Sequence, residues 1–410
     1  MSLSVFIARR LPLGSDRGPG SGGIAVAVTG ITLSVIVMLL SISIITGFRE
    51  EIRHKIIGFD AQITLYPTDG EEAIDLGAIS DILSTLPDGA RVSPTIRQPA
   101  IMKAPEDFEG VVIRGIPADY DTRFIEENIV EGGVPDYEAD STIYNIVVSR
   151  IIADKLGARM GDKIDTYFVG GGIYRVRRLK VAGIYESHFS EYDSHVVYAS
   201  LPMLRQVTAV ADSSAMAVEI DGLSSDNEID AVSARLSRDL AMLPYTKPGS
   251  APISVTDIHR SAALYFNWLA LLDTNVVVIL TLMALLSCLT LVSSLFILIL
   301  RRVSMIGILK AVGASNALVR RIFVVLTLRI LAIGLVLGNI IAAGIIIVQR
   351  ATRFLPLDPD AYYLDRVPMA LPLGAWLGLN AAVVLLSFVI LLLPSGIIAT
   401  IPPSRAINYE

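Results

Sequence analysis

The sequence predicts an α-helical membrane protein with four transmembrane helices and one α+β extracytoplasmic domain, and three observations carry that expectation. Apolar residues make up 53% of the 410 and charged ones only 18%, with a mean hydropathy of +0.59, outside the range of a soluble globular chain. The apolar residues are clustered: 24–47, 274–300, 322–348 and 375–400 each reach the ~20 residues a helix needs to cross the hydrocarbon core. Between the first two stretches, 48–273 has the composition of a water-soluble domain.

The first stretch follows Arg9 and Arg10, as the core of a cleaved signal peptide would. Its apolar run exceeds the ~7–15 residues of such a core and ends in Gly47-Phe48-Arg49 without a small-residue cleavage site, so it is read as a retained helix. The loop 301–321 carries Arg301, Arg302, Lys310, Arg320 and Arg321 and no acid, which places it in the cytoplasm by the positive-inside rule. Both termini then face the cytoplasm, with Arg9, Arg10, Arg17 and Arg405 in agreement. The chain divides into a cytoplasmic segment 1–23, a first helix 24–47, the domain 48–273, a second helix 274–300, the loop 301–321, a third helix 322–348, an outer loop 349–374, a fourth helix 375–400 and a cytoplasmic end 401–410.

Within 48–273, runs rich in β-branched and aromatic residues predict strands at Ala61–Tyr66, Gly110–Gly115, Ile164–Val169, Tyr174–Tyr185, His195–Ala199 and Ala215–Ile220. Apolar residues at three- and four-residue spacing predict helices at Ile74–Leu86, Val148–Leu156 and Ile229–Leu240. Stalk helices are expected to continue the membrane helices outward, over Glu51–Ile57 and from Ile258 into the second span. A single helix from Ile258 to Leu300 would be about 64 Å long.

Met305, Ile308, Leu309 and Val312 fall at i, i+3, i+4 and i+7, so the loop 301–321 holds a short helix with one apolar face; Gly313 is its expected stop and Ser315 the N-cap of the next helix. An apolar face there needs a partner surface, either a protein or the lipid interface.

The run Arg301-Arg302-Val303-Ser304-Met305-Ile306-Gly307-Ile308-Leu309-Lys310-Ala311-Val312-Gly313-Ala314-Ser315 resembles the coupling segment of ABC permeases in the MacB/FtsX/Lol superfamily. The order of one helix, a large ectodomain and three helices is also similar. Among these permeases the chain resembles the lipoprotein-releasing LolC/LolE type, through Phe6–Leu11 as an elbow helix, Ile45–Phe48 with Glu51-Ile52, Ile184–Glu186 followed by Glu191–Asp193, and the ending Ile401-Pro402-Pro403 through Glu410. Three features depart from that pattern: Ser304 stands where an acid is common, Arg329 lies inside the third helix, and the hairpin Ile164–Tyr185 turns on only Gly170-Gly171-Gly172.

The resemblance implies a type VII ABC permease fold and a multi-pass inner-membrane location. It also implies a dimer with a second permease, either a copy or a paralogue, bound to a soluble ATPase that holds ATP and Mg. The implied activity is release of lipoproteins from the inner membrane for transfer to the outer membrane; the alternative is a mechanotransmission permease that regulates a cell-wall enzyme or exports another substrate. Residues Met305, Ile306, Gly307, Ile308, Leu309, Lys310, Ala311 and Val312 are then the ATPase contact. Met38, Ile42, Ile45, Val277 and Leu280 are expected along a path for the substrate's acyl chains between the first two helices, beside membrane lipid. Tyr174, Arg175 and Arg177 are a candidate contact for a periplasmic partner such as a lipoprotein chaperone, although the hairpin arm is shorter than expected for the subunit that receives it.

The residues agree with that division of labour. The chain has no G-x-x-x-x-G-K-[ST], and Gly14–Gly23 lacks the lysine that a phosphate loop needs. No catalytic set is credible, so the chain is read as a non-enzyme without a cofactor of its own. Cys288 is the single cysteine, which excludes an internal disulfide, and His188 and His195 beside Glu186, Glu191 and Asp193 fit no zinc spacing. A net charge of −6 gives no pointer to nucleic acid.

Overall fold

The computed structural model describes residues 21–68, 73–104, 107–169, 175–243 and 252–392. The elbow segment, the ending 401–410 and the last residues of the fourth predicted span therefore lie outside the described residues. Two compact units emerge: Met1–Glu50, Trp268–Pro356 and Val367–Glu410 form one, and Glu51–Asn267 with Leu357–Arg366 form the other.

Among the described residues four helices are long and apolar enough to cross a membrane, those of a multi-pass membrane protein, and the first unit is built on them. Helix one runs Ser21–Phe59, helix two Ala263–Arg301, helix three Asn316–Thr352 and helix four Leu373–Leu392. Their shared core holds Ile31, Val35 and Leu39 of helix one, Leu291 and Leu295 of helix two, Phe323 and Ile330 of helix three, and Val383 of helix four. Helix three lies against helix one through Gly334 and Gly338, where a Cβ would come within 2.7 Å of Ile31 and 2.8 Å of Val35. Helices one, two and three extend beyond the apolar stretches read from the sequence because residues such as Glu50, Glu51 and Arg350 continue the same helical turns. Helix two departs from the expectation: Ile258–Ser261 is a separate turn, and Ala262, at φ −106° and ψ 27°, ends it before helix two begins. The Asp257 side chain caps the start of that turn by accepting from Arg260 N at 3.0 Å, and the interruption at Ala262 separates it from helix two.

The second unit is a mixed α+β domain organised by β1 (Ile63–Pro67), β2 (Ile74–Asp75), β3 (Arg91–Lys103), β4 (Phe108–Ile116), β5 (Ile129–Gly132), β6 (Asn145–Ser149), β7 (Lys163–Phe168), β8 (Arg175–Tyr185), β9 (Val196–Ser200), β10 (Ser214–Ala215), β11 (Ala217–Asp221) and β12 (Ile253–Asp257). The sheet follows the order β12-β1-β11-β3-β4-β9-β6-β8-β5, and β7 pairs with both β3 and β8. The strands β3, β4, β9, β6, β8 and β7 therefore close into a barrel, which removes their free edges. Its inward residues, including Ile96, Met102, Ile113, Ile146, Leu179 and Val197, are fully buried, and the helix Leu201–Thr208 packs its Leu201, Met203 and Leu204 into the same core. The extension β12-β1-β11 is covered by the helix Asp226–Ala241, which buries Ile229, Val232, Leu236 and Leu240. Ser225 opens that helix by accepting from Glu228 N at 3.3 Å, while the Glu228 carboxylate accepts from Ser224 N at 2.7 Å, a reciprocal cap.

Candidate functional site

The segment between helices two and three forms the short helix Val303–Ala311. It separates from helix two at Arg302, whose φ of −113° and ψ of 23° break the helical path. It stops at Gly313, where φ is +95° and Ala314 N donates to the Leu309 carbonyl at 2.9 Å, a glycine C-cap that a β-carbon would strain. Ser315 then caps helix three by accepting from Leu318 N at 3.3 Å.

The short helix is two-sided, and the stripe read from the sequence divides between the sides. Ile306 and Gly307 are buried, and Met305 and Leu309 pack against the membrane core. Ile308 is 58% exposed and Val312 84% exposed, with Ser304 and Ala311 beside them, and Lys310 is half-buried. The reason is angular: at 100° per residue the core takes an arc centred near Ile306, which pulls in one edge of the stripe and turns the other outward. What remains outside is a small apolar ridge of Ile308 and Val312 between small side chains.

The five residues expected along a lipid path do not share one face. Met38 is buried in the helix core, Leu280 packs against that core, Ile42 and Ile45 are half-buried, and Val277 is 60% exposed. The periplasmic contact set also divides. Tyr174 lies outside the described residues; Arg175 donates to the carbonyls of Gln206 and Val207, and Arg177 Nη1 donates to the Val176 carbonyl at 3.0 Å. Strand alternation makes Val176, Arg178 and Lys180 the exposed row of β8, with Arg178 bridging Asp165 at 2.7 and 3.1 Å.

The sequence reading missed a charged cluster at the end of helix one. Arg114 on β4 and Glu219 on β11 are 2% and 0% exposed and form an ion pair. Arg97, which faces Arg114 across the β3–β4 ladder, reaches the Glu219 carboxylate at 3.2 Å and the Asp60 carboxylate at 3.0 Å. Arg114 Nη1 donates to the Phe59 carbonyl at 2.7 Å, and Tyr192 Oη donates to Asp60 at 2.6 Å. Burial pushes the Glu219 carboxyl up, but the two guanidiniums outweigh it and hold the group below its ordinary range. Its signal in the sequence was a lone charge inside each of two apolar runs, Val111–Gly115 and Ala217–Ile220.

Among the described residues no group of three His, Cys, Asp or Glu side chains could hold a metal ion. His195 Nδ1 lies 3.1 Å from the Glu191 carbonyl, and His188 stands 3.8 Å from Glu186.

Residues 24–239 match the model of the MacB-like periplasmic core domain, and 277–403 match that of the FtsX-like permease C-terminal region. The lipoprotein-releasing system transmembrane protein LolC of Xylella fastidiosa is 24% identical over 427 residues, spanning 100% of this chain and 99% of its own. The corresponding LolE of Haemophilus influenzae is 23% identical over 430 residues, spanning 100% of both. The periplasmic region of MacB from Actinobacillus actinomycetemcomitans is 13% identical with a TM-score of 0.35, covering 52% of this chain and 98% of that structure.

Proposed function

Because the chain belongs to the family of membrane permeases with a MacB-like periplasmic core domain, joined here to an FtsX-like permease C-terminal region, we propose that it converts ATP hydrolysis in a partner ATPase into movement of its extracytoplasmic domain. The observation that carries this reading is the short helix Val303–Ala311, anchored to the membrane core through Ile306 and presenting Ile308 and Val312 outward. An apolar ridge outside the hydrocarbon gains by burial against a protein, by roughly 1.5–3 kcal/mol per large side chain. The ATPase is the partner placed there. ATP and Mg belong to that subunit, and a second permease, a copy or a paralogue, completes the complex.

A more specific reading is favoured by the end-to-end match to LolC and LolE, whose names describe a lipoprotein-releasing system. On that reading the moved substrate is a lipoprotein leaving the inner membrane, possible because each CH₂ transferred to water costs about 0.8 kcal/mol and so demands an apolar waiting site. Ile42, Ile45 and Val277 are the positions proposed to meet acyl chains; Met38 and Leu280 would be reached only after the helices separate. A periplasmic chaperone is a further proposed partner, with Tyr174, Arg175 and Arg177 as its proposed contact and the exposed Val176, Arg178 and Lys180 of β8 beside them.

Replacing Ile308 and Val312 with Asp tests the first reading. Purified from native membrane, the double variant is expected to lose its ATPase; retention of the ATPase with normal ATP-driven release refutes the contact. Identification of the proteins captured by a photocrosslinker at Val277 tests the second, and crosslinks to non-lipidated proteins alone count against it.

A further inference from the structure

We infer that Arg114, Arg97, Glu219 and Asp60 form the joint by which helix one grips the extracytoplasmic sheet, so that displacement of the helix end is passed to β3, β4 and β11. The inference rests on the force-transmitting reading above and adds the residues that carry the force.

Three features set the cluster apart from ordinary core packing. Arg114 and Arg97 are direct cross-strand partners, an arrangement that repels unless anions lie between them. The anions are Glu219, from the neighbouring strand, and Asp60, the first residue past helix one, so two of each charge balance. Second, the bonds converge on the helix terminus. The last carbonyls of a helix lack intrahelical donors and carry the negative end of its dipole, which is where Arg114 Nη1 meets the Phe59 carbonyl at 2.7 Å. Third, a buried ion group seldom stabilises more than an apolar one of equal volume, whereas its directional bonds fix geometry.

The surroundings complete the joint. Phe59 stacks on Tyr192 at 4.6 Å with planes 17° apart, and Phe124 presses so closely on Gly58 that a Cβ would come within 2.2 Å of its ring. Beside this socket lies a cleft of about 640 Å³ lined by His54, Ile57, Gly58, Tyr120, Phe124 and Asp221 among others. Helix one thus has aromatic packing and open space next to its end, and the ionic bonds fix its direction there, together with Lys55 Nζ, which donates to the Ser187 and Tyr363 carbonyls one turn earlier.

The test uses the full chain in lipid nanodiscs, with Glu219→Gln and, because that variant could unfold the domain, the milder Asp60→Asn. Hydrogen exchange is read at residues 56–62 and at β7 and β8. The joint predicts exchange at least about tenfold faster at 56–62 in both variants, with β7 and β8 unchanged. Equal acceleration everywhere, or none anywhere, overturns it. In the complex with its ATPase, spin labels at Glu50 and Lys180 should report an ATP-dependent distance change that Asp60→Asn reduces at least twofold while ATP turnover persists. A full distance change in that variant also overturns the joint. Were the wild type to show no ATP-dependent change, the transmission reading would fall, and with it the role of these residues in passing force.

Discussion

Asn339 on helix three and Asn380 on helix four face each other as a reciprocal amide pair: Asn339 Nδ2 donates to Asn380 Oδ1 at 2.8 Å, and Asn380 Nδ2 donates to Asn339 Oδ1 at 3.1 Å. Trp376 Nε1 adds a second donor to Asn339 Oδ1 at 2.6 Å. Helix four buries little of its surface, so this polar contact supplies much of its specific attachment. Asn339→Leu is expected to destabilise the membrane unit by ~1–2 kcal/mol, since it takes the partner from Asn380 Oδ1 and from Trp376 Nε1, while Asn380 Nδ2 keeps the Trp376 carbonyl at 2.9 Å. The double variant Asn339→Leu/Asn380→Leu should recover part of the loss, and a thermal double-mutant cycle in detergent measures it. Strict additivity would show that the pair contributes nothing.

Helix three meets helix one at two missing side chains. A Cβ at Gly334 would sit 2.7 Å from Ile31 and one at Gly338 2.8 Å from Val35, while Thr32 Oγ1 donates to the Gly334 carbonyl at 3.3 Å. Gly338→Val therefore forces the helices apart and should lower stability by about 1–3 kcal/mol. Val35→Gly in the same chain removes both the Cβ and the Cγ1 that the new side chain meets at 2.8 Å and should restore about half. Unchanged melting of Gly338→Val would mean that the helices are not held at this spacing.

Much of the architecture was legible because its determinants are local. Spans follow from runs of apolar residues, and the helix Asp226–Ala241 follows from its periodicity. The longest strand, Arg91–Lys103, was not legible: Pro94 and Pro99 break the usual strand signature, yet both lie in a strand paired on two sides. Val148 was read as helical because it continues the spacing of Ile152 and Leu156; the structure keeps it in β6, and Ser149 starts the helix by accepting from Ile152 N at 3.0 Å. At the candidate site, the stop of Val303–Ala311 at Gly313 and the cap of helix three at Ser315 were local and readable, but which side faces outward depends on Ile306 meeting a core drawn from several helices. Arg114 and Glu219 lie 105 positions apart, so their pairing is a property of strand order alone.

The two sides of Val303–Ala311 make separable predictions. Gly307 is buried, so Gly307→Arg forces a charge into the membrane-unit core and should destabilise the chain itself by several kcal/mol. Ile308→Asp places its charge on an exposed face and should leave the melting temperature nearly unchanged while weakening ATPase binding. Comparing melting curves and ATPase co-purification for the two variants separates packing from docking. A large loss of stability in Ile308→Asp would place that side chain in the core and remove it from the proposed interface.

Asp221 gives the extracytoplasmic unit a pH dependence whose sign can be worked out. Its carboxylate accepts from Gln62 N at 3.0 Å, but burial dominates, with the Glu219 charge adding to it, and the group is pushed up to about 6 from an ordinary 3.8. The folded state thus holds this proton more tightly than the unfolded chain does. The stabilisation is fully present below pH 3.8 and is lost as the pH rises through about 6, a difference of about 3 kcal/mol between the two limits. Asp221→Asn removes the titration and keeps an oxygen for the Gln62 N–H. The variant should therefore match or exceed the wild type at pH 7.5, and its advantage should shrink steadily as the pH falls from 7 to 4. Melting of both full-length proteins across that range provides the measurement. A wild-type-to-variant difference that stays constant from pH 4 to pH 7.5 would show that Asp221 titrates as an ordinary exposed carboxylate and that the polar cleft beside helix one hydrates it fully.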